Sequence, residues 1–220
     1  MIKKQKILQS LNKIKKINAK NPRPDLINEA LSIIKKGGII SFPTRCFYGL
    51  GVDALNPEAI DKVFAVKQRP YNKPILIFVE NRDELDKIVD NVPPCALRIM
   101  DKFWPGGITI VFEAKETLPV NLTAKTGKIG VRLPMHQVAH ALVRGMKGPI
   151  TGTSANISGN PGCLLGIDLD SRIADKLDLI LDAGPLKGGA GSTVIDVTTG
   201  FPTILREGEV PAADIFEVVG

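Results

Sequence analysis

Residues 25–51 read DLINEALSIIKKGGIISFPTRCFYGLG, a helix pattern followed at once by a strand pattern. The apolar residues of the first half recur at the spacing of an amphipathic helix, which we expect to end at Gly37-Gly38. Residues 39–42 have the length and composition of a buried strand, and Pro43 stops it. A helix leading directly into a strand indicates an α/β fold. The apolar helix positions are Leu26, Ile27, Ala30, Leu31 and Ile34.

The same alternation continues along the rest of the chain, without a repeat or a long linker. It predicts one α/β domain over residues 25–220, with a twisted mixed parallel and antiparallel sheet and flanking helices. Further strands are predicted at 75–79, 107–113, 128–133, 149–153, 178–182, 193–197 and 203–206. Further helices are predicted from Pro57, around 82–90, and at 94–103, 136–146 and 168–176.

Composition and charge divide the 220-residue chain into a basic tail and a nearly neutral body. With 44% hydrophobic and 24% charged residues the chain can form a core, and no apolar run approaches the roughly 18 residues of a membrane span. The net charge is +6, yet residues 1–24 alone hold eight basic side chains and no acid. The body therefore carries −2, so its surface is not predicted to be a nucleic-acid interface.

The tail, residues 1–24, has two interpretations. Ile7, Leu11 and Ile14 share one face at helical spacing, which indicates a solvated or loosely docked helix. Weak electrostatic contact with RNA is the alternative. The three cysteines are widely spaced and odd in number, which predicts a reducing, cytoplasmic setting; they are Cys46, Cys95 and Cys163.

A cationic turn follows the second helix. Residues 67–74 read KQRPYNKP, with Lys67 in the last helical turn and Arg69 and Lys73 in a proline-bounded segment before an apolar strand. A bidentate guanidinium beside point-charge ammoniums is the combination that polyphosphates require. The pattern favours an anion site here, and Arg206, at the end of a strand, is a further candidate phosphate ligand.

Two loops rich in hydroxyl and glycine residues, 43–51 and 151–159, each follow a strand. Ligands gather beyond the carboxyl ends of strands in α/β sheets, so both are candidate binding loops. The segment around Ser154 lacks the second glycine of a nucleophile elbow, and both histidines precede it, which excludes a serine hydrolase of that fold. The glycines at 188–191 precede a strand, so they form neither a Walker nor a Rossmann loop.

His136 and His140 share a helix face but lack the zincin glutamate and an evident third ligand, so no metal site is predicted from them.

Seven of these segments occur in an order that resembles the YrdC-like family of threonylcarbamoyl-AMP synthases. The first is Pro-Thr-x-x-x-Tyr-Gly-Leu-Gly, the second Lys-x-Arg-Pro-x-x-Lys-Pro, and the fifth Ser-Ala-Asn-x-Ser-Gly. The seven lie at residues 43–51, 67–74, 103–106, 130–134, 154–159, 192–196 and 204–208. The resemblance implies a sheet curved around a large cleft lined with positive charge, in a single catalytic domain.

The resemblance also implies a nucleotidyltransferase reaction. L-threonine, bicarbonate or carbon dioxide, and ATP with Mg²⁺ would give L-threonylcarbamoyl-adenylate and pyrophosphate. A separate threonylcarbamoyl transferase complex would then modify tRNA, with no role for a membrane. By resemblance, the ATP-binding residues are Lys67, Arg69, Lys73, Ser154, Asn156 and Arg206. The threonine-binding residues are Thr44, Cys46, Tyr48, Arg132 and Ser192. Lys67 and Arg69 would stabilise charge, with no protein nucleophile and no metal ligands.

Three residues depart from the common pattern. Arg45 and Cys46 stand where an acid and a second threonine are usual, and Phe78 stands where many members carry a histidine. These positions belong to the amino-acid side of the cleft. A related adenylate-forming enzyme with a different amino acid is therefore one alternative, and a non-catalytic module that binds double-stranded RNA or tRNA is another.

Overall fold

The computed structural model of the chain describes residues 13–220 and has a mixed α/β architecture, as predicted. Its strands are β1 (Ile14–Lys16), β2 (Ile40–Pro43), β3 (Tyr48–Gly51), β4 (Ile77–Phe78), β5 (Ile108–Glu113), β6 (Lys128–Arg132), β7 (Ile150–Thr151), β8 (Thr153–Ser154), β9 (Leu179–Asp182), β10 (Thr193–Asp196) and β11 (Thr203–Arg206). They form a five-stranded sheet in the order β1-β9-β2-β3-β8 and a six-stranded sheet in the order β11-β10-β5-β6-β4-β7.

The helices flank these two sheets. They are α1 (Pro24–Lys35), α2 (Pro57–Lys67), α3 (Leu85–Ile88), α4 (Pro94–Phe103), α5 (Gln137–Met146), α6 (Ser171–Ala174) and α7 (Ala212–Val219), with 3₁₀ turns at Arg82–Glu84 and Gly166–Asp168. Among residues 13–220, none of these helices is long and apolar enough to cross a bilayer.

Both sheets are mixed. In the five-stranded sheet, β9 runs parallel to β1 and β2, while β3 is antiparallel to β2 and β8. In the six-stranded sheet, β5 is parallel to β10 and antiparallel to β6, and β4 is parallel to β6 and antiparallel to β7. The mixed sheet predicted from the sequence is thus divided into two.

The two sheets are joined at Gly152. Thr151 pairs with the six-stranded sheet and Thr153 with the five-stranded sheet, so the predicted strand at 149–153 is split by this glycine. The Gly152 N–H donates to the Leu76 carbonyl at 2.9 Å. A Cβ at this position would lie 2.7 Å from side-chain atoms of both Leu76 and Phe78. A residue with a side chain cannot make this close approach unless its neighbours shift.

Helix α1 forms from the periodic stretch quoted first and packs on α5 and β2. Its five predicted apolar positions are all buried, in a cluster that also contains Phe42 and Leu142. The helix ends as expected, because Gly37 adopts a φ of +75° and its N–H donates to the Ile34 carbonyl at 2.9 Å. The chain then enters β2, whose four residues are buried.

Helix α2 is fixed at both ends. The Asn56 side chain caps its start by accepting from the Ala59 N–H at 3.1 Å, and Pro57 occupies the first turn. The helix ends at Lys67, where Gln68 turns the chain with a left-handed φ of 50°. Residues 59–66 place an apolar face in the main core, so the position of Lys67 is set by that packing.

Three elements differ from the sequence predictions. Ile14 lies on β1, paired with Ile180, so the sheet begins within the stretch predicted as a basic tail. The helix predicted there also involves residues 1–12, which lie outside the described residues. Residues 48–51, predicted as part of a loop, form strand β3, an antiparallel return from β2. The short helix α7 was not predicted, and Arg98 of α4 donates to its Val218 and Val219 carbonyls at 3.1 and 2.7 Å.

The Gly152→Ala substitution tests the junction between the sheets. We expect it to lower the free energy of unfolding by about 1–3 kcal/mol, because the added methyl group overpacks Leu76 and the buried Phe78 ring. Denaturant unfolding measures this loss. Gly148→Ala is the control, since its Cβ meets no atom within 4 Å, and its expected change is within about 0.5 kcal/mol. Equal stability of the two variants would contradict this role of Gly152.

Candidate active site

A cavity of about 530 Å³ lies between the two sheets and takes side chains from both. Its volume falls within the range of small-molecule sites, roughly 300–1,000 Å³. Of the predicted site residues, Lys67 and Lys73 do not line this cavity. The others do, and they are Thr44, Cys46, Tyr48, Arg69, Arg132, Ser154, Asn156, Ser192 and Arg206. Motifs far apart in sequence therefore converge on one cavity.

The charges that line the cavity are mostly positive. Arg69, Lys128, Arg132 and Arg206 contribute cations, and Asp196 is the carboxylate among the described lining residues. Asp196 is itself neutralised, because Lys128 Nζ donates to its Oδ2 at 3.0 Å. The remaining excess of guanidinium groups suits a ligand with several negative charges.

Lys67 is buried behind the cavity wall, with 1% of its surface exposed. Its ammonium donates to the carbonyl of Ser154 and to the carbonyl and Oδ1 of Asn156, the last two at 2.8 and 3.3 Å. The Ser158 N–H in turn donates to the Lys67 carbonyl at 2.8 Å. Lys67 thus fastens the 154–158 loop to the end of α2, which makes it a positioning residue for two ligand-facing side chains.

Burial has a clear effect on this lysine. Removal from water lowers the pKa of Lys67 to about 7, and the nearby Arg69 guanidinium adds to the shift. The three oxygen acceptors oppose the shift because they stabilise the charged form.

Ser154 and Asn156 are held in one orientation. The Ser154 hydroxyl donates to Asn156 Oδ1, the oxygen that also accepts from Lys67. The Asn156 amide nitrogen donates to the carbonyls of Ile157 and Asn160 at 2.9 and 2.6 Å. The amide therefore cannot flip without losing both sets of bonds.

Arg69 stabilises the cationic turn from within. Its Nε donates to the Lys73 carbonyl at 3.0 Å and its Nη2 to the Pro74 carbonyl at 2.6 Å. Arg69 also lines the cavity. Lys73 is exposed and does not line the cavity, and it meets Arg69 only through its backbone carbonyl among the described contacts, so its side chain is not brought to the cavity with the other predicted ATP ligands.

Arg132 and Arg206 occupy neighbouring places in the cavity. Arg132 is buried on β6, and its Nε donates to the Gly106 carbonyl at 2.7 Å. Arg206 donates through Nη2 to the carbonyl and hydroxyl of Ser192, at 2.7 and 3.2 Å. The Ser192 hydroxyl also lies 2.9 Å from that of Thr109. The residues predicted to bind the nucleotide and those predicted to bind the amino acid therefore come into contact where Arg206 meets Ser192.

The cavity wall that carries Thr44, Cys46 and Tyr48 is formed by the turn between β2 and β3 and by the first residue of β3. The Thr44 hydroxyl donates to the Phe47 carbonyl at 2.6 Å, and Cys46 is buried. The Tyr48 hydroxyl lies 2.8 Å from Asp182 Oδ1, and burial together with this carboxylate raises the pKa of Tyr48. Its hydroxyl is engaged away from the cavity, so Tyr48 acts through packing.

Several lining residues were not found from the sequence. Thr109, Lys128 and Asp196 are polar residues within strands, and that position in otherwise apolar segments is the signal that could have identified them. Phe78 packs edge-on against Phe42, with ring centroids 6.2 Å apart, and adds apolar surface to the cavity.

The two histidines do not line the cavity. His136 Nδ1 caps helix α5 by accepting from the Val138 N–H at 3.2 Å.

These features define an α/β protein with a cationic cavity between two sheets. The family model described as "Telomere recombination", which covers Sua5, YciO and YrdC, matches residues 32–208. The chain belongs to this family, as the sequence motifs predicted.

Three similar proteins show how far the likeness extends. The threonylcarbamoyl-AMP synthase of Pyrococcus abyssi is 34% identical over 88% of this chain, which spans 57% of that relative's length. The crystal structure of P. abyssi Sua5 complexed with L-threonine superposes with a TM-score of 0.89 at 32% identity, over 94% of this chain and 61% of that one. E. coli YciO gives a TM-score of 0.84 at 29% identity, over 92% and 98% of the two chains.

The Lys67→Met substitution tests the buried ammonium. The folded-state pKa near 7 lies below the ordinary 10.5, so between these pH values the unfolded chain binds the extra proton. The stability of the natural protein should therefore rise with pH by up to about 1.4 kcal/mol per pH unit from this group. Lys67→Met lacks this contribution.

From pH 7 to pH 9, we expect the free energy of unfolding of the natural protein to rise by at least about 1 kcal/mol more than that of Lys67→Met. Urea unfolding at each pH measures this difference. Lys36→Met, which changes an exposed lysine, is the control and should run parallel to the natural protein. If the free energy of unfolding of Lys67→Met also changed with pH in parallel with that of the natural protein, a buried Lys67 with a lowered pKa would be contradicted.

Proposed function

We propose that this chain is an L-threonylcarbamoyladenylate synthase. The observation that carries the proposal is the convergence of three arginines with Ser154, Asn156 and Ser192 on one cavity. The name of the P. abyssi relative and its L-threonine complex support the same activity. Because the chain spans little more than half of that relative, the activity is proposed for this chain on its own residues.

The proposed reaction is a nucleotidyl transfer. The threonine amine nitrogen first forms a bond to the carbon of carbon dioxide and loses a proton, giving a carbamate. With bicarbonate, the same bond forms as water leaves. A carbamate oxygen then attacks the α-phosphorus of ATP, and the bond from that phosphorus to the bridging oxygen breaks. Pyrophosphate leaves with the electron pair, and threonylcarbamoyl-AMP remains. A separate transferase would consume it in tRNA modification, within the cytoplasm.

Charge neutralisation and alignment are the main tasks in this reaction, since ATP and a carbamate are both anionic. Arg69 and Arg206 are proposed to bind the triphosphate, and Ser154 with Asn156 the nucleotide. Arg132, whose guanidinium is buried and held through Nε alone, is proposed to receive the threonine carboxylate. This division places the carbamate and the α-phosphate together near Arg206, which contacts Ser192.

Magnesium is proposed to arrive bound to ATP. Among residues 13–220, no three His, Cys, Asp or Glu side chains cluster as a metal cage. The cavity's donors, guanidinium and hydroxyl groups, fit the phosphates rather than a cation, so the ion would be held through phosphate oxygens. Bound there, it neutralises charge on the leaving pyrophosphate.

Pyrophosphate release from ATP tests the proposal. Release should require both L-threonine and bicarbonate. Arg69→Ala and Arg206→Ala should each lower kcat/KM by about 10²–10³, because each removes a positive charge from the site of the developing negative charge.

Arg144→Ala provides the matched control, since this arginine is exposed on α5 and does not line the cavity. Its activity should stay within about twofold of the natural protein. Full pyrophosphate release without threonine would refute the synthase.

The identity of the amino acid is a separate question, raised by Cys46 and Phe78 in the cavity. We expect L-threonine to exceed L-serine in kcat/KM by about tenfold or more, because the extra methyl group buries apolar surface against a partly apolar wall. Pyrophosphate release measured across a panel of amino acids checks this. A different amino acid that outperforms threonine would support the alternative adenylate-forming enzyme.

A further inference from the structure

An ion pair joins the two sheets beside the cavity. Arg45, in the turn between β2 and β3, places Nη2 2.5 Å from Oε1 of Glu209, which follows β11. The side chains are 32% and 21% exposed, so the pair is partly shielded from water. Partly shielded pairs are screened less by salt than surface pairs.

Both ends of this pair are attached to the cavity wall. The Glu209 N–H donates to the Gly191 carbonyl at 2.8 Å, and the Glu209 carboxylate packs over Gly107. On the other side, Arg45 lies between Thr44 and Cys46, which both line the cavity. The Cys46 carbonyl accepts from the Gly188 N–H at 3.0 Å. The pair therefore holds the wall of one sheet against the other.

The pair also contributes to the electrostatic environment of Arg132. Burial lowers the pKa of the Arg132 guanidinium, the Glu209 carboxylate opposes this shift, and the Arg45 and Arg206 cations add to it. Glu209 Oε2 is buried and has no hydrogen-bond partner among the described residues. A carboxylate so placed competes with any ligand carboxylate for Arg132, unless another cation engages it. Arg45 is that cation.

We propose that Arg45 and Glu209 form a positioning pair for the amino-acid substrate, fixing the wall of Thr44 and Cys46 and keeping Glu209 from pairing with Arg132. The proposal rests on the proposed function, since it takes Arg132 as the site of the substrate carboxylate. It also accounts for Arg45, one of the residues at which the loop departs from its common motif.

Steady-state kinetics of Arg45→Gln and Glu209→Gln test the pair. Arg45→Gln should raise the KM for L-threonine about fivefold or more, because it loosens the wall and leaves Glu209 free to pair with Arg132. Glu209→Gln loosens the same wall but removes the competing carboxylate, so it should raise this KM less. In both variants kcat and the KM for ATP should stay within about twofold. The double reversal, Arg45→Glu with Glu209→Arg, should recover much of the threonine KM because it restores the attraction. Arg82→Gln, which breaks a surface pair with Asp101 at the same 2.5 Å, is the control and should change nothing.

Hydrogen exchange separates this proposal from the proposed function. In Arg45→Gln and Glu209→Gln, the amides of Thr44 and Gly188 should exchange faster than in the natural protein, and in the double reversal they should recover. Unchanged threonine KM and unchanged exchange would overturn the positioning pair even in an active enzyme. If the natural protein were inactive but exchange were faster in the variants, the synthase activity and the substrate role of the positioning pair would be refuted. The role of the pair in holding the wall of Thr44 and Cys46 would be retained.

Discussion

The hydrogen bonding of the Lys67 ammonium is the constraint on which the site depends. An ammonium removed from water must find acceptors, and within residues 13–220 Lys67 finds them on the 154–156 segment. Helix α2 is packed into the main core, and Lys67 at its end is itself buried. Its hydrogen bonds hold the 154–156 segment against the end of this helix. As a result Ser154, the last residue of the two-residue strand β8, and Asn156, just beyond that strand, are both held by hydrogen bonds to Lys67.

The crossing of the chain between sheets at Gly152 provides the space that this loop borders. Separation at Gly152 leaves β5, β6, β10 and β11 facing the turn between β2 and β3 across a gap. The arginines of the six-stranded sheet and the hydroxyl groups of the other can then act on one ligand. In the proposed function, the positive charge would attract the ligand and the fixed hydroxyl and amide groups would orient it.

The sequence predicted the elements better than their arrangement. Apolar periodicity and the flanking glycine and proline residues located α1, α2 and α4 closely, because those signals are local. Strand β1 was missed because its lysines suggest a solvated tail, whereas pairing with β9 is decided by residues far along the chain. The division into two sheets depends on close packing of Leu76 and Phe78 over Gly152, which no local pattern reveals. The order of the motifs predicted most of the residues that line the cavity. It could not predict that Lys67 is buried behind the wall or that Lys73 lies outside the cavity.

A crystal structure with ATP and L-threonine tests the account most directly. It should show the triphosphate in contact with Arg69 and Arg206, the threonine carboxylate on Arg132, and Lys67 still bonded to the 154–156 segment without touching the nucleotide. The account would be contradicted by a nucleotide bound outside the cavity between the sheets. It would equally be contradicted by Lys67 leaving Asn156 to bind phosphate.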